Sequence, residues 1–171
     1  SSELNTYAEV CKSEKSGETY WFIGWSEYVV DEGYNTITYL SSNNKAIPIN
    51  TLYGFGADFV ANRYDNATNI GTIIFTGPVT SIPEQAFSSA TTLTSINIPG
   101  SVTTIGEEAF SGCNFRGGME NLPDGLSILG AAAFAGSKNL PENLNLPLHI
   151  SRVSSSAFVG TNIRSVNISG N

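Results

Sequence analysis

The chain has 171 residues, 40% of them hydrophobic and only 13% charged, with a formal net charge of −7. That length makes one domain, or one domain with an attached module, with enough chain for a substantial core. The acidic balance is −5 over residues 1–68 and −2 over 69–171, which argues against nucleic acid or an anionic membrane as partner, because phosphate contacts need a basic face.

Residues 1–18 are polar, and Leu4, Tyr7, Val10 and Cys11 have the spacing of one short helix, ended by Glu14-Lys15-Ser16-Gly17. Two strand-like runs follow, Thr19 to Val30 with five aromatics (Tyr20, Trp21, Phe22, Trp25, Tyr28) and Tyr34 to Leu40. Asp31-Glu32-Gly33 between them reads as a hairpin turn. Residues 1–45 are therefore expected to form a small β-rich aromatic module. Its aromatics read as core, or alternatively as a platform for sugar rings. Residues 46–68 look like a degenerate, capping-type repeat: Ile47 precedes Phe59 by twelve and is followed by Pro48, but Thr51 and Gly54 stand where aliphatics belong.

From Asn69 the chain repeats. Ala86-Phe87, Ala109-Phe110, Ala133-Phe134 and Ala157-Phe158 recur at intervals of 23, 24 and 24 residues. Eight residues before each Phe stand Val79, Val102, Leu126 and Ile150, and five before stand Ile82, Ile105, Leu129 and Val153. Each repeat opens with an alternating pair, Ile73/Phe75, Ile96/Ile98, Leu144/Leu146 and Val166/Ile168, which is strand patterning. In the third copy Glu120 replaces the first member and Gly117-Gly118 lies just upstream, so a bulge is expected there. This period with fixed aliphatic columns predicts an α/β-type repeat solenoid, mostly β. The expected form is a right-handed leucine-rich-repeat coil over residues 69–171, with one parallel strand per 23–24-residue repeat and a short helical turn at each Ala-Phe. The chain opens at Ser1-Ser2 without a leader, as a mature or trimmed chain would, and stops after a fifth strand at Asn171. No run approaches the length of a transmembrane helix.

The frame of Leu93 to Cys113, Leu-x-x-Ile-x-Ile-Pro-x-x-Val-x-x-Ile-Gly-x-x-Ala-Phe-x-Gly-Cys, resembles the BspA-like class of leucine-rich repeats. That resemblance implies a surface or secreted protein of host-associated bacteria, extracellular or cell-surface in location and linked to adhesion. Most copies in the class carry the Cys, whereas here only Cys113 does.

Alternation turns the residue between each inward pair outward: Ile74, Asn97, Asn121, Asn145 and Asn167. Four asparagines in one column read either as ligand-binding amides for a glycan or peptide, or as a ladder bonded along the sheet. Ser95, Asn143 and Ser165 flank the column and would widen a contact surface. No catalytic constellation emerges. The single His149 stands two residues after Pro147 with no nucleophile in phase, Glu84, Glu107 and Glu108 lie on return turns, and no metal or cofactor motif appears. Cys113 reads as a small buried filler, with a Cys11–Cys113 bridge possible only in an oxidising compartment. Asn66-Ala67-Thr68 and Asn167-Ile168-Ser169 match the N-glycosylation pattern, relevant only to a eukaryotic source. The chain thus reads as a non-enzymatic surface binding protein that presents the concave face of its repeats to a host protein or glycan. The alternative is a structural spacer of a larger surface protein, with binding in the N-terminal module or in flanking segments.

Overall fold

The computed structural model describes residues 5–15, 18–28, 35–117, 119 and 122–168, and over 5–28 the backbone alone. The chain divides into two compact units, Ser1–Glu32 and Gly33–Asn171. The domain boundary expected after residue 45 falls inside the second unit.

In the first unit, β1 (Asn5–Lys15) pairs antiparallel with β2 (Glu18–Tyr28), from Asn5 opposite Tyr28 to Lys15 opposite Glu18. This corrects the helix read from Tyr7, Val10 and Cys11. A helix of that length is marginal in water, whereas a hairpin pairs the whole run with a neighbour two residues away. The turn expected at Asp31-Glu32-Gly33 lies outside the described residues.

The second unit continues with β3 (Thr36–Ser41), β4 (Phe59–Asp65), β5 (Ile70–Phe75), β6 (Ser81–Ile82), β7 (Leu93–Asn97) and β8 (Thr104–Ile105). After these come β9 (Ile128–Leu129), β10 (Asn143–Leu146), β11 (Arg152–Val153) and β12 (Ser165–Ile168). They form three separate sheets: antiparallel β4-β5-β3-β7, parallel β11-β9-β8-β6 and parallel β10-β12.

Two parts of the expected architecture are overturned. The described residues contain no helix and are all-β, not α/β. Nor do the repeat strands join in one continuous curved parallel sheet. The first two, β5 and β7, are held apart by β3, which runs antiparallel to both. The alternation of β3 explains the insertion. Ile37 and Tyr39 face inward opposite Ile73 and Ile96 and are buried. Gly71 opposite Tyr39 leaves room for the tyrosine ring, which a Cβ there would meet at 2.0 Å. The Tyr39 hydroxyl donates to Asn62 Oδ1 at 2.6 Å and accepts from the Ile47 N–H at 3.3 Å, so the inserted strand is bonded on its inner face as well. In the third repeat, Gly117 has φ +108° and the Glu120 position lies outside the described residues.

The return turns show why no helix forms. Two residues before each Phe, Gln85, Glu108, Ala132 and Ser156 have positive φ, and two after it so do Ser89, Gly112, Gly136 and Gly160. A left-handed residue at each flank stops a helix from propagating. Alternate N–H groups then serve different purposes. Those of Ala86, Ser88 and Ala90 close turns on carbonyls three residues back, while those of Gln85, Phe87 and Ser89 donate to Glu107, Ala109 and Ser111 of the next repeat. Gly112 and Phe110 donate onward to Ala135 and Ala133 in the same way. Repeats are thereby joined by backbone bonds where helices would have used those donors internally.

The core follows the phenylalanine column. Phe87, Phe110, Phe134 and Phe158 stack at centroid separations of 5.3, 5.2 and 5.8 Å with planes within 14° of parallel. Gly106 and Gly130 permit the close approach of repeats: a Cβ would lie 2.6 Å from Glu84 N and 2.5 Å from Gly106 C respectively. Phe55, not the Phe59 aligned by spacing, closes the first repeat. It is fully buried against Phe75 and Phe87, and its carbonyl accepts from the Thr80 and Ser81 N–H groups.

Candidate functional site

Pairing register builds a composite outer face on β4-β5-β3-β7. Arg63 opposes Thr72, Thr72 opposes Thr38, and Thr38 opposes Asn97, giving one polar row across four strands. The next row runs from Asp65 to Ile70, then across Leu40 to Ser95. Arg63, Asn97, Leu40 and Ile70 are exposed, while Thr72, Thr38 and Ser95 are half-buried. Between the rows lies a depression of about 120 Å³ lined by Thr38, Tyr39, Leu40, Ile70, Ser95 and Asn97. The Tyr39 ring is buried on the opposite face beneath Gly71, so the lining is aliphatic, hydroxyl and amide in character. At the sheet edge, Asp65 accepts from the Ala67 N–H and the Thr68 hydroxyl, and these bonds hold its carboxyl below the usual range. Ile74, apolar where later repeats carry Asn, is buried in the row between Ala61 and Thr36.

The asparagine column is distributed over two sheets. Asn97 and Ser95 belong to the face just described. Asn145 opposes Asn167 in β10-β12, and Asn143 opposes Ser165, whose hydroxyl donates to Asn143 Oδ1 at 2.6 Å. Asn121 lies outside the described residues. The sequence pointed to Ser95 and Asn97 on this face but not to Thr38, Leu40, Ile70, Thr72 or Arg63, which pairing sets beside them. The signal available was the Thr-Ile-Thr-Tyr alternation of residues 36–39, but not its neighbours, because the partners of Thr38, 34 and 59 residues away, leave no local trace.

Cys113 is a free thiol, buried, donating to the Phe87 carbonyl at 3.2 Å. Burial pushes its pKa up to about 12, so it is inert at neutral pH. His149 is exposed, and Glu108 accepts a hydrogen bond from the Gln85 amide at 2.8 Å. Among the described residues no group of His, Cys, Asp and Glu could hold a metal ion, and no helix is long and apolar enough to cross a membrane.

Residues 59–171, well over half of the chain, match the BspA type leucine rich repeat region in six copies. The chain belongs to that family. BspA-type repeats are a non-catalytic repeat family, and the match supports a protein- or glycan-binding role in general terms. Membership is consistent with an extracellular or bacterial-surface protein. No curated protein matches the chain.

Proposed function

We propose that this BspA-type protein is an adhesion protein, secreted or displayed on a bacterial surface, that binds a protein or glycan of host or neighbouring cells. Its binding surface is the outer face of β4-β5-β3-β7, with Ser95 and Asn97 as contact residues; Asn145 and Asn167, with the Asn143–Ser165 pair beside them, form a second, smaller polar patch.

The observation that carries this reading is the row Arg63–Thr72–Thr38–Asn97 beside exposed Leu40 and Ile70. Polar groups set at strand spacing along an aliphatic strip are what a partner with mixed chemistry needs. Each neutral hydrogen bond to such a partner contributes about 0.5–1.5 kcal/mol net, so affinity comes from several contacts at once. The test is an array of extracellular-matrix proteins and glycans, probed with wild type and with Thr38→Tyr, which fills the depression. Binding that falls at least tenfold in the variant supports the face. Binding that is unchanged moves the site elsewhere, with the aromatic-rich β1-β2 hairpin as next candidate.

A second reading, a structural spacer, is favoured by the unbroken Phe87–Phe158 stack and the backbone bonds that link repeat to repeat. An array with no bound component supports it.

A further inference from the structure

We infer that the depression between Leu40, Ile70, Ser95 and Asn97 accommodates an acetamido group, and that the ligand is an N-acetylhexosamine saccharide. This rests on the reading of the outer face as the binding surface.

Three features of the depression lead there. First, its polar groups are uncommitted: among the described residues no side-chain hydrogen bond engages Thr38, Ser95 or Asn97, whereas Asn143 and Ser165 are bonded to each other. An unengaged primary amide beside two hydroxyls offers donors and acceptors together. Second, Leu40 and Ile70, 45% and 41% exposed, form an aliphatic wall beside those groups. Third, among the described residues the one aromatic at the depression is Tyr39, whose ring is buried on the other side of the sheet. The described lining thus offers the flat apolar face of an unsubstituted sugar ring no stacking partner, and it holds no cation to receive a carboxylate or sulfate, Arg63 standing two strands from Thr38 along the same row. An acetamido group presents one methyl, one N–H and one carbonyl oxygen within a few ångströms. The methyl suits the Leu40–Ile70 wall, and the amide suits Asn97 with Ser95 and Thr38 in support. A depression of about 120 Å³ has room for such a substituent, and the sugar it belongs to would extend across the face.

The experiment is calorimetric titration of the full chain with tri-N-acetylchitotriose and with cellotriose, accompanied by saturation-transfer NMR. Cellotriose is the deciding control, because the deacetylated amino sugar is cationic and a chain of charge −7 attracts it unspecifically. The expected result is binding of the acetylated trimer at least tenfold tighter than cellotriose, with the strongest transfer to the acetyl methyl. Asn97→Ala and Thr38→Tyr should each weaken it at least tenfold without changing the melting temperature, and Asn97→Ala, at an exposed position, carries the test if Thr38→Tyr fails to fold. Equal affinity for the two trimers, or no binding of either, overturns the acetamido assignment. Should a different array ligand then be lost in Thr38→Tyr, the acetamido assignment alone fails and the face stands. Should the acetylated trimer bind both variants like wild type, the face fails as well.

Discussion

The first and last repeats carry the same columns in opposite surroundings. Val79, Ile82 and Phe87 in the first are fully buried, whereas the equivalent Ile150 and Phe158 are only half-buried and Val153 is 45% exposed. The first repeat is flanked by β3, β4 and the Phe55 segment; the last has described neighbours on one side only. An inward-facing pattern thus specifies which side chains are available for burial, and the neighbouring repeat decides whether burial occurs. The return-turn bonds have a direction too: N–H groups of one repeat donate to carbonyls of the next, which leaves Ala86 O and Ser88 O without such a donor at the first turn, while Gln85 O already accepts from the Ser88 N–H. Asn50 takes that place. Its N–H donates to Ala86 O at 2.9 Å and its side-chain amide to Gln85 O and Ser88 O at 2.8 and 3.0 Å.

The largest effect should come from the middle of the stack. Phe110 is fully buried between Phe87 and Phe134, and Phe110→Ala should destabilise by about 3–5 kcal/mol. Phe158, half-buried with one stacked neighbour, should cost about 1–2 kcal/mol on truncation. Urea titrations of the two variants measure the contrast, and equal losses would break it. Next comes Gly106→Ala, whose methyl meets the backbone of Glu84 and Pro83 and must push two repeats apart, at a cost of about 1–3 kcal/mol. Gly100→Ala, where an added Cβ meets nothing within 4 Å, is its control and should fall within about 0.5 kcal/mol of wild type.

Cys113 gives a pH-dependent version of the same contrast. Burial raises its thiol pKa from 9.0 to about 12, so between these values the unfolded chain has lost the proton that the folded chain keeps. Stability from this group is complete below pH 9 and is lost as pH rises toward 12. By pH 10.5 the loss should reach on the order of 2 kcal/mol, and Cys113→Ala should show a correspondingly flatter alkaline limb in urea titrations. Parallel limbs for the two proteins would show that the thiol ionises as easily in the folded state.

The core was legible because it is periodic. The Phe column and its aliphatic companions could be read off one sequence, whereas the tight backbone approach at Gly106 and Gly130 came only with the structure. The sheet arrangement was not legible. A strand at residues 34–40 was evident from alternation, but its insertion between two repeat strands depends on Gly71 accepting the Tyr39 ring, a contact across 32 residues. The hairpin was missed because a polar run with one helical-looking stripe outweighed the Ser16-Gly17 signal between two strand-length segments. The candidate site inherited that gap: Ser95 and Asn97 were candidates from their column, and nothing local pointed to the half of the face contributed by β3, β4 and β5.

The smallest predicted effect tests whether the first turn is closed by one side chain. Asn50 is exposed, so water competes for the carbonyls it serves, and its two side-chain bonds should together contribute only about 0.5–1.5 kcal/mol. Asn50→Ala removes both but keeps the backbone bond to Ala86 O. Asn50→Asp should do at least as much harm, because a carboxylate has no donors for Gln85 O and Ser88 O and sets its charge against their oxygens. If the amide acts as stated, hydrogen exchange should quicken at Ala86, Ser88 and Ala90 in both variants and stay unchanged at Phe134, two repeats away. An Asp variant as stable as wild type would mean that Ser88 O is satisfied by solvent and Gln85 O by the Ser88 N–H alone, and that the difference between the two ends of the stack lies wholly in apolar cover.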